Sequence, residues 1–142
     1  MGGIRPRVDT RSKILDGPFP VPSGGWPEFA RPLAVVTGYF DVLRGEHARE
    51  FERVRETAGA ATVLAIVLSS PAELLPPRAR AELVAALRAV DYVAVADGAD
   101  VEGLVASIHP AHVVRLEEAD QGRLRELREH VRLRTHGLKP GR

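Results

Sequence analysis

The chain has 142 residues, 44% hydrophobic and 27% charged, with 20 basic against 19 acidic side chains. That length suits one domain, or one domain with an extension, and leaves enough chain to bury a real core. The formal charge of +1 argues against a generic nucleic-acid or membrane-surface binder, and the lack of cysteine rules out disulfides, thiolate metal sites and a cysteine nucleophile.

Residues 1–32 carry little periodicity. Asp16 to Pro27 is dense in proline and glycine, so neither a helix nor a central strand is expected there. Residues 1–32 read as an extended arm, with Phe19, Trp26 and Phe29 as apolar anchors to the domain or to a partner subunit. The basic start, Met1 to Lys13, has no apolar stretch behind it and is not expected to act as a secretory signal. No apolar run approaches a membrane span. A cytoplasmic protein is the expectation.

From Leu33 the pattern changes, and residues 33–142 read as one α/β domain. Leu33 to Thr37 is a short apolar strand bounded by Pro32 and Gly38. Residues 45–58 are helical, with Ala48, Phe51, Val54 and Ala58 on one face. Thr62 to Leu68 is a second strand. Both strands are apolar at consecutive positions, as expected where both faces are covered.

Pro76-Pro77 opens a helix over residues 77–89, with Leu83, Ala86, Leu87 and Val90 expected on its buried side. Asp91 to Val95 is a third strand. Asp100 is expected to cap a short helix that buries Val101, Leu104, Val105 and Ile108 and stops at Pro110. His112 to Leu116 is a fourth strand. A last helix, residues 119–131, aligns Leu124, Leu127 and Val131 as a core or dimer stripe, and the tail from Thr135 is polar. Alternation of strands and helices predicts a parallel sheet with helices on both sides. In such folds ligands sit beyond the carboxyl ends of the strands, at a switch point. The loop from Gly38 to Glu46 is the first place to look.

That loop, Val36-Thr37-Gly38-Tyr39-Phe40-Asp41-Val42-Leu43-Arg44-Gly45-Glu46-His47, resembles the signature loop of the cytidylyltransferase-like nucleotidyltransferases, G-x-F-D-x-L-H-x-G-H. Within that family it is most like the heptose-phosphate adenylyltransferase type, the nucleotidyl-transferring half of ADP-heptose synthase. Arg80 to Val93 resembles the family's arginine, helix and V-D-x-V strand. His109 to Arg115 resembles its x-P-D-x-L-V-K segment. The likeness spans about residues 33–120 in the same order.

The resemblance implies a Rossmann-like three-layer α/β sandwich with a mainly parallel sheet, of the nucleotidyltransferase (HUP-like) kind. It also implies transfer of a nucleotidyl group from ATP or CTP, with magnesium, to a small phosphorylated acceptor, releasing pyrophosphate. His47 and Arg44 would hold the triphosphate as the catalytic pair. Gly38, Tyr39, Phe40, Asp41 and Gly45 would form the nucleotide loop, with Arg115 and Arg80 as secondary anion contacts. A homodimer is expected, with no nucleic-acid or membrane partner and no resident metal site.

This sequence departs from the motif at several points. Arg44 replaces its first histidine and Glu46 its glycine. Arginine can still hold a phosphate through its planar fork. A carboxylate about 5 Å from a phosphate charge costs on the order of 3 kcal/mol at an effective dielectric near 20. Magnesium would offset part of that, or Gly45 takes the glycine's task by a shift of register. Arg115 stands for the family's lysine, Leu116-Glu117-Glu118 replaces its glycine pair and acid, and its I-S-S-T motif has no counterpart. The alternative reading is therefore a catalytically inactive relative that binds nucleotide or serves as a protein-interaction module.

Several residues also admit plain structural readings. Asp41 suits a helix cap, and Glu46 favours a helix dipole. His47 with Glu50 makes a surface pair, and Arg80 and Arg88 are solvated helix charges. His109 and His112 have ligand-like spacing but straddle Pro110 at a corner. No dinucleotide fingerprint, phosphate loop or nucleophile elbow is present.

The charge is divided along the chain. Residues 1–13 carry four basic and one acidic side chain, residues 14–120 nine and sixteen, and residues 121–142 seven and two. The body is acidic and both ends are basic.

Overall fold

The computed structural model describes residues 9–15, 26–41, 43–69, 75–117 and 129–132. Four strands, β1 (Leu33–Gly38), β2 (Thr62–Leu68), β3 (Tyr92–Ala96) and β4 (His112–Arg115), form one all-parallel sheet in the order β3-β2-β1-β4. The connecting helices are α1 (Gly45–Thr57), α2 (Pro77–Ala85) and α3 (Val101–Ile108). The chain steps outward from β1 to β2 to β3 through α1 and α2, then returns through α3 to place β4 on the other side of β1. This is a Rossmann-like α/β fold.

Strand alternation sorts the core into two halves. Ala34, Val36, Val63, Ala65, Val67 and Val93 face Phe51 and Val54 of α1 and Ala81, Val84 and Ala85 of α2. Leu33, Val35, Leu64, Ile66 and Ala94 face Val101, Leu104, Val105 and Ile108 of α3. β1 and β2 are buried at every position. That explains their unbroken apolar runs, since a strand covered on both faces has no polar side to show.

Parts of residues 1–32 belong to this body. Thr10–Lys13 forms a 3-10 turn on which Asp9 accepts from the backbone N–H of Arg11. The Asp9 carboxyl is held below its ordinary range, chiefly by the side-chain hydrogen bond from Arg11. Ile14 bridges to Val93 in parallel, and Leu15 N–H donates to Val93 O at 2.7 Å. Ile14 is buried against the α1–α2 half, and Phe29 against the α3 half, where its ring meets Tyr92 edge-on at 5.2 Å. Phe19 lies outside the described residues.

Three expectations are corrected. α2 ends at Ala85, and residues beyond it turn through Leu87 N–H to Val84 O and Val90 N–H to Leu87 O. Its buried side is Arg80, Ala81, Val84 and Ala85; of the positions expected to be buried, Leu83 is 44% exposed and Ala86 is exposed, whereas Val90 is fully buried and Leu87 half-buried in the turn beyond the helix. The face is rotated because small alanines pack closest to the sheet and the Arg80 guanidinium takes up space that a leucine was expected to fill. Asp100 stands at the cap position of α3 but makes no side-chain cap bond. At the other end of α3, Arg31 donates to Ile108 O and His109 O, satisfying carbonyls that the helix leaves open. At the end of the expected last helix, residues 129–132 are helical and Val131 is 54% exposed, as the dimer alternative for its stripe allows; Leu124 and Leu127 lie outside the described residues.

Candidate functional site

Order β3-β2-β1-β4 puts the switch point between β1 and β4, at their carboxyl ends. Thr37 on β1 stands in register with Arg115 on β4, and Leu116 N–H donates to Thr37 O at 2.8 Å. The expected site residues Gly38, Tyr39, Phe40, Asp41, Arg44, Gly45 and His47 follow directly from that end of β1.

The loop turns sharply as soon as it leaves the sheet. Phe40 has φ of 54°, a left-handed conformation that is rare for a bulky residue. Its ring folds back beneath Gly38, where an added Cβ would stand 2.8 Å from Phe40 Cζ. Only glycine leaves room for that return. The ring is 1% exposed, stacks on Phe51 at 5.7 Å and meets His47 edge-on at 5.6 Å. Phe40 is thus a core residue that anchors the loop to α1. Tyr39 packs against the α3 half of the core.

The cap position ahead of α1 is held by Arg44, whose side chain has only donors and cannot cap the helix. His47 compensates, since its Nδ1 accepts from Arg44 N–H at 2.9 Å. This is the reciprocal half of a capping box, with histidine doing what glutamate or glutamine does elsewhere. It assigns the neutral ring's proton to Nε2. His47 is 5% exposed, so the surface-pair reading with Glu50 is corrected; Glu50 pairs with Arg53 at 2.6 Å. Glu46 lies exposed in the first turn of α1, where its charge suits the dipole. Gly45 has only Arg49 Nη1 near an added Cβ, at 3.4 Å, so the protein's own packing does not require glycine there.

Arg80 is not the solvated helix charge that one reading expects. It is 0% exposed and its guanidinium donates to Tyr39 O, Leu68 O and Leu75 O. Asp41 Oδ1 lies 3.6 Å from Arg80 Nε. Asp41 therefore faces α2, and the cap position of α1 belongs to Arg44. Gly38 through Asp41, Arg80, Arg44 and His47 are linked through this loop.

Arg115 leaves β4 toward α3 and pairs with both carboxylate oxygens of Glu102, at 2.7 and 2.9 Å. A feature absent from the sequence reading lies beside it: fully buried Thr37 donates its hydroxyl to Glu117 Oε2 at 2.6 Å. A carboxylate thus stands at the switch point itself. The register of β1 and β4 brings the two residues together, and no local pattern announces it. Arg80 shares the helical phase of Ala81, Val84 and Ala85, but that face shows only once the structure has set it, since the leucines of the sequence point to a different one.

Among the described residues no cluster of three or more metal-ligating side chains occurs, and no helix is long and apolar enough to cross a membrane. A hollow of about 430 Å³, lined by Lys13, Glu28, Thr62, Asp91 and Tyr92 among others, opens at the amino end of the sheet, away from the loop.

No family profile matches the chain, and no curated protein matches it in sequence. Among solved structures it is similar to the crystal structure of the lipopolysaccharide core biosynthesis protein from Thermoplasma volcanium GSS1. The TM-score is 0.52 at 17% sequence identity, covering 57% of this chain and 70% of that one. The two proteins share a fold.

Proposed function

We propose that this chain is a nucleotidyltransferase-like protein that takes a nucleoside triphosphate at the carboxyl end of β1, with a phosphorylated sugar as the class of acceptor. The observation that supports it most is the construction of the β1–α1 loop. A left-handed phenylalanine and a fully buried arginine are both maintained to hold its course. Costly local conformations of that kind concentrate at ligand sites. The motif likeness of the loop and the fold shared with a lipopolysaccharide core biosynthesis protein support the same reading.

In this reading Arg44 and the first turn of α1 meet the phosphates, and His47 holds the turn and presents Nε2. Gly38, Tyr39, Phe40, Asp41 and Gly45 shape the loop, and Arg115 is a further anion contact once it leaves Glu102. Magnesium fits as an ion carried by the triphosphate, since it keeps waters and phosphate ligands more readily than it fills an all-protein cage. The reaction would join an acceptor oxygen to the α-phosphorus as pyrophosphate leaves, with positioning and charge neutralisation as the protein's contribution.

A second reading rests on the pairings of the expected cations. Arg115 pairs with Glu102, Arg80 faces Asp41, and Glu117 adds a negative charge at the switch point. These favour a relative that keeps the fold and binds nucleotide or protein without transfer.

Calorimetric titration with ATP and CTP, with and without magnesium, separates the readings when followed by a pyrophosphate-release assay over sugar phosphates. The first reading expects magnesium-dependent binding and release. Binding without release supports the second. Silence for both nucleotides at millimolar concentration would sink the nucleotide site.

A further inference from the structure

Arg80 makes contacts that no space-filling role explains. Its Nε donates to Leu75 O at 3.0 Å, just ahead of α2. Its Nη1 donates to Leu68 O at 2.7 Å, at the last residue of β2, and to Tyr39 O, just past the end of β1. Asp41 Oδ1 stands 3.6 Å from Nε. One side chain thus ties together the segment leading into α2 and the two segments leaving the middle strands of the sheet.

Taking a guanidinium fully out of water is costly unless its donors are met, and an apolar side chain of similar volume fills such a space without that cost. Charge and fork geometry must therefore serve something other than filling. Arginine presents five donors in a rigid plane, so acceptors on separate segments are fixed relative to one another; an ammonium gathers its three donors at one point. The fixed acceptor that matters is Tyr39 O. It belongs to the peptide group that leads into Phe40, whose left-handed backbone sends the ring under Gly38 and against His47.

We infer that Arg80 is a positioning residue for the β1–α1 loop: by fixing the Tyr39 carbonyl and the Asp41 carboxylate from below, it sets where Arg44, His47 and the first turn of α1 stand. It touches no ligand itself. The identity of the ligand rests on the proposed nucleotide site, whereas the positioning does not.

Hydrogen exchange on the full chain tests this, comparing the protein with Arg80→Lys and Arg80→Met. The amides of Arg44, His47 and Ala48 are the probes, since Arg44 N–H donates to His47 Nδ1 and the other two to Arg44 O. Local opening is expected, so these amides should exchange at least about tenfold faster in both variants while amides within β1 and β2 change by less than about threefold. Equal acceleration of loop and strand amides, or no change in the loop, overturns the inference. If Arg80→Met does not fold, Arg80→Lys decides alone. ATP titration with magnesium is the second readout. Arg80→Lys should weaken affinity about tenfold with unchanged stoichiometry, a shift equal to about 1.4 kcal/mol. A loosened loop with unchanged affinity also overturns the inference. If the unaltered protein binds no ATP, the nucleotide reading fails, and the exchange data still decide the role of Arg80.

Discussion

His47 shows how one side chain can replace a missing cap. A helix that starts on arginine has no oxygen at its first position to satisfy its open N–H groups. The ring nitrogen three residues on accepts from the Arg44 backbone instead, and the ring packs edge-on against Phe40. His47→Gln keeps an acceptor suited to this position and should hold stability to within about 0.5 kcal/mol. His47→Ala loses both the acceptor and the packing and should cost about 1–2 kcal/mol. Urea unfolding midpoints of the two variants check this; equal losses would show that packing alone matters at this position. The sequence singled out His47 through a motif. Its structural task was not legible, because it depends on the path of the loop. Gly38 and Phe40 were also singled out, and the structure explains them through each other. The ring occupies the space that a Cβ on residue 38 would need.

At the scale of elements, the strands were the most legible part. Leu33 to Thr37 and Thr62 to Leu68 announce themselves as continuous apolar runs, and both are buried throughout. α2 was harder, because its one leucine does not lie on its buried face. The inward positions hold Arg80, Ala81, Val84 and Ala85, and Leu83 points away. Leu83→Lys should therefore change stability by less than about 0.5 kcal/mol. Val84→Ala, which removes two methyl groups from a packed core, should cost about 2 kcal/mol. The same unfolding measurement checks both, and a large loss at Leu83 would contradict the assigned face. Hydrophobic pattern failed here for a physical reason. A buried arginine counts as polar in any periodicity, although its guanidinium is satisfied by carbonyls from neighbouring segments.

Across the whole molecule, the basic amino-terminal region is no detached appendage where it is described. Ile14 is buried, Leu15 bonds to β3, and Lys13 Nζ donates to Leu87 O and Val90 O at the turn after α2. Among the described residues, this segment is what lies along the outer edge of β3. Removing residues 1–15 should cost about 2–4 kcal/mol from the lost burial of Ile14 and the lost hydrogen bonds. It should also leave the β3 edge open to pairing with other chains. Denaturation together with light scattering checks this, and an unchanged midpoint and unchanged mass would refute it. Lys13 was counted in the sequence as part of a basic end, yet the acceptors it meets are backbone carbonyls of the body. The division of charge along the chain is therefore partly bridged by contacts that a segment-by-segment count cannot show.

The sequence by itself determined the alternation of strands and helices, and hence the parallel sheet, because apolar runs and their spacing are local and follow from burial on two faces. It also pointed to the loop after β1, because glycine, phenylalanine and aspartate stand there in a recognisable order. Only the tertiary structure decided what those residues and their neighbours touch. Arg80 meets Tyr39 across 41 positions, Thr37 meets Glu117 across 80, and Arg115 turns to Glu102 on a different element. Such pairings follow from strand order and register, which fold the chain back on itself. Two arginines that the motif likeness assigns to anions, Arg80 and Arg115, thereby meet acceptors of the chain itself.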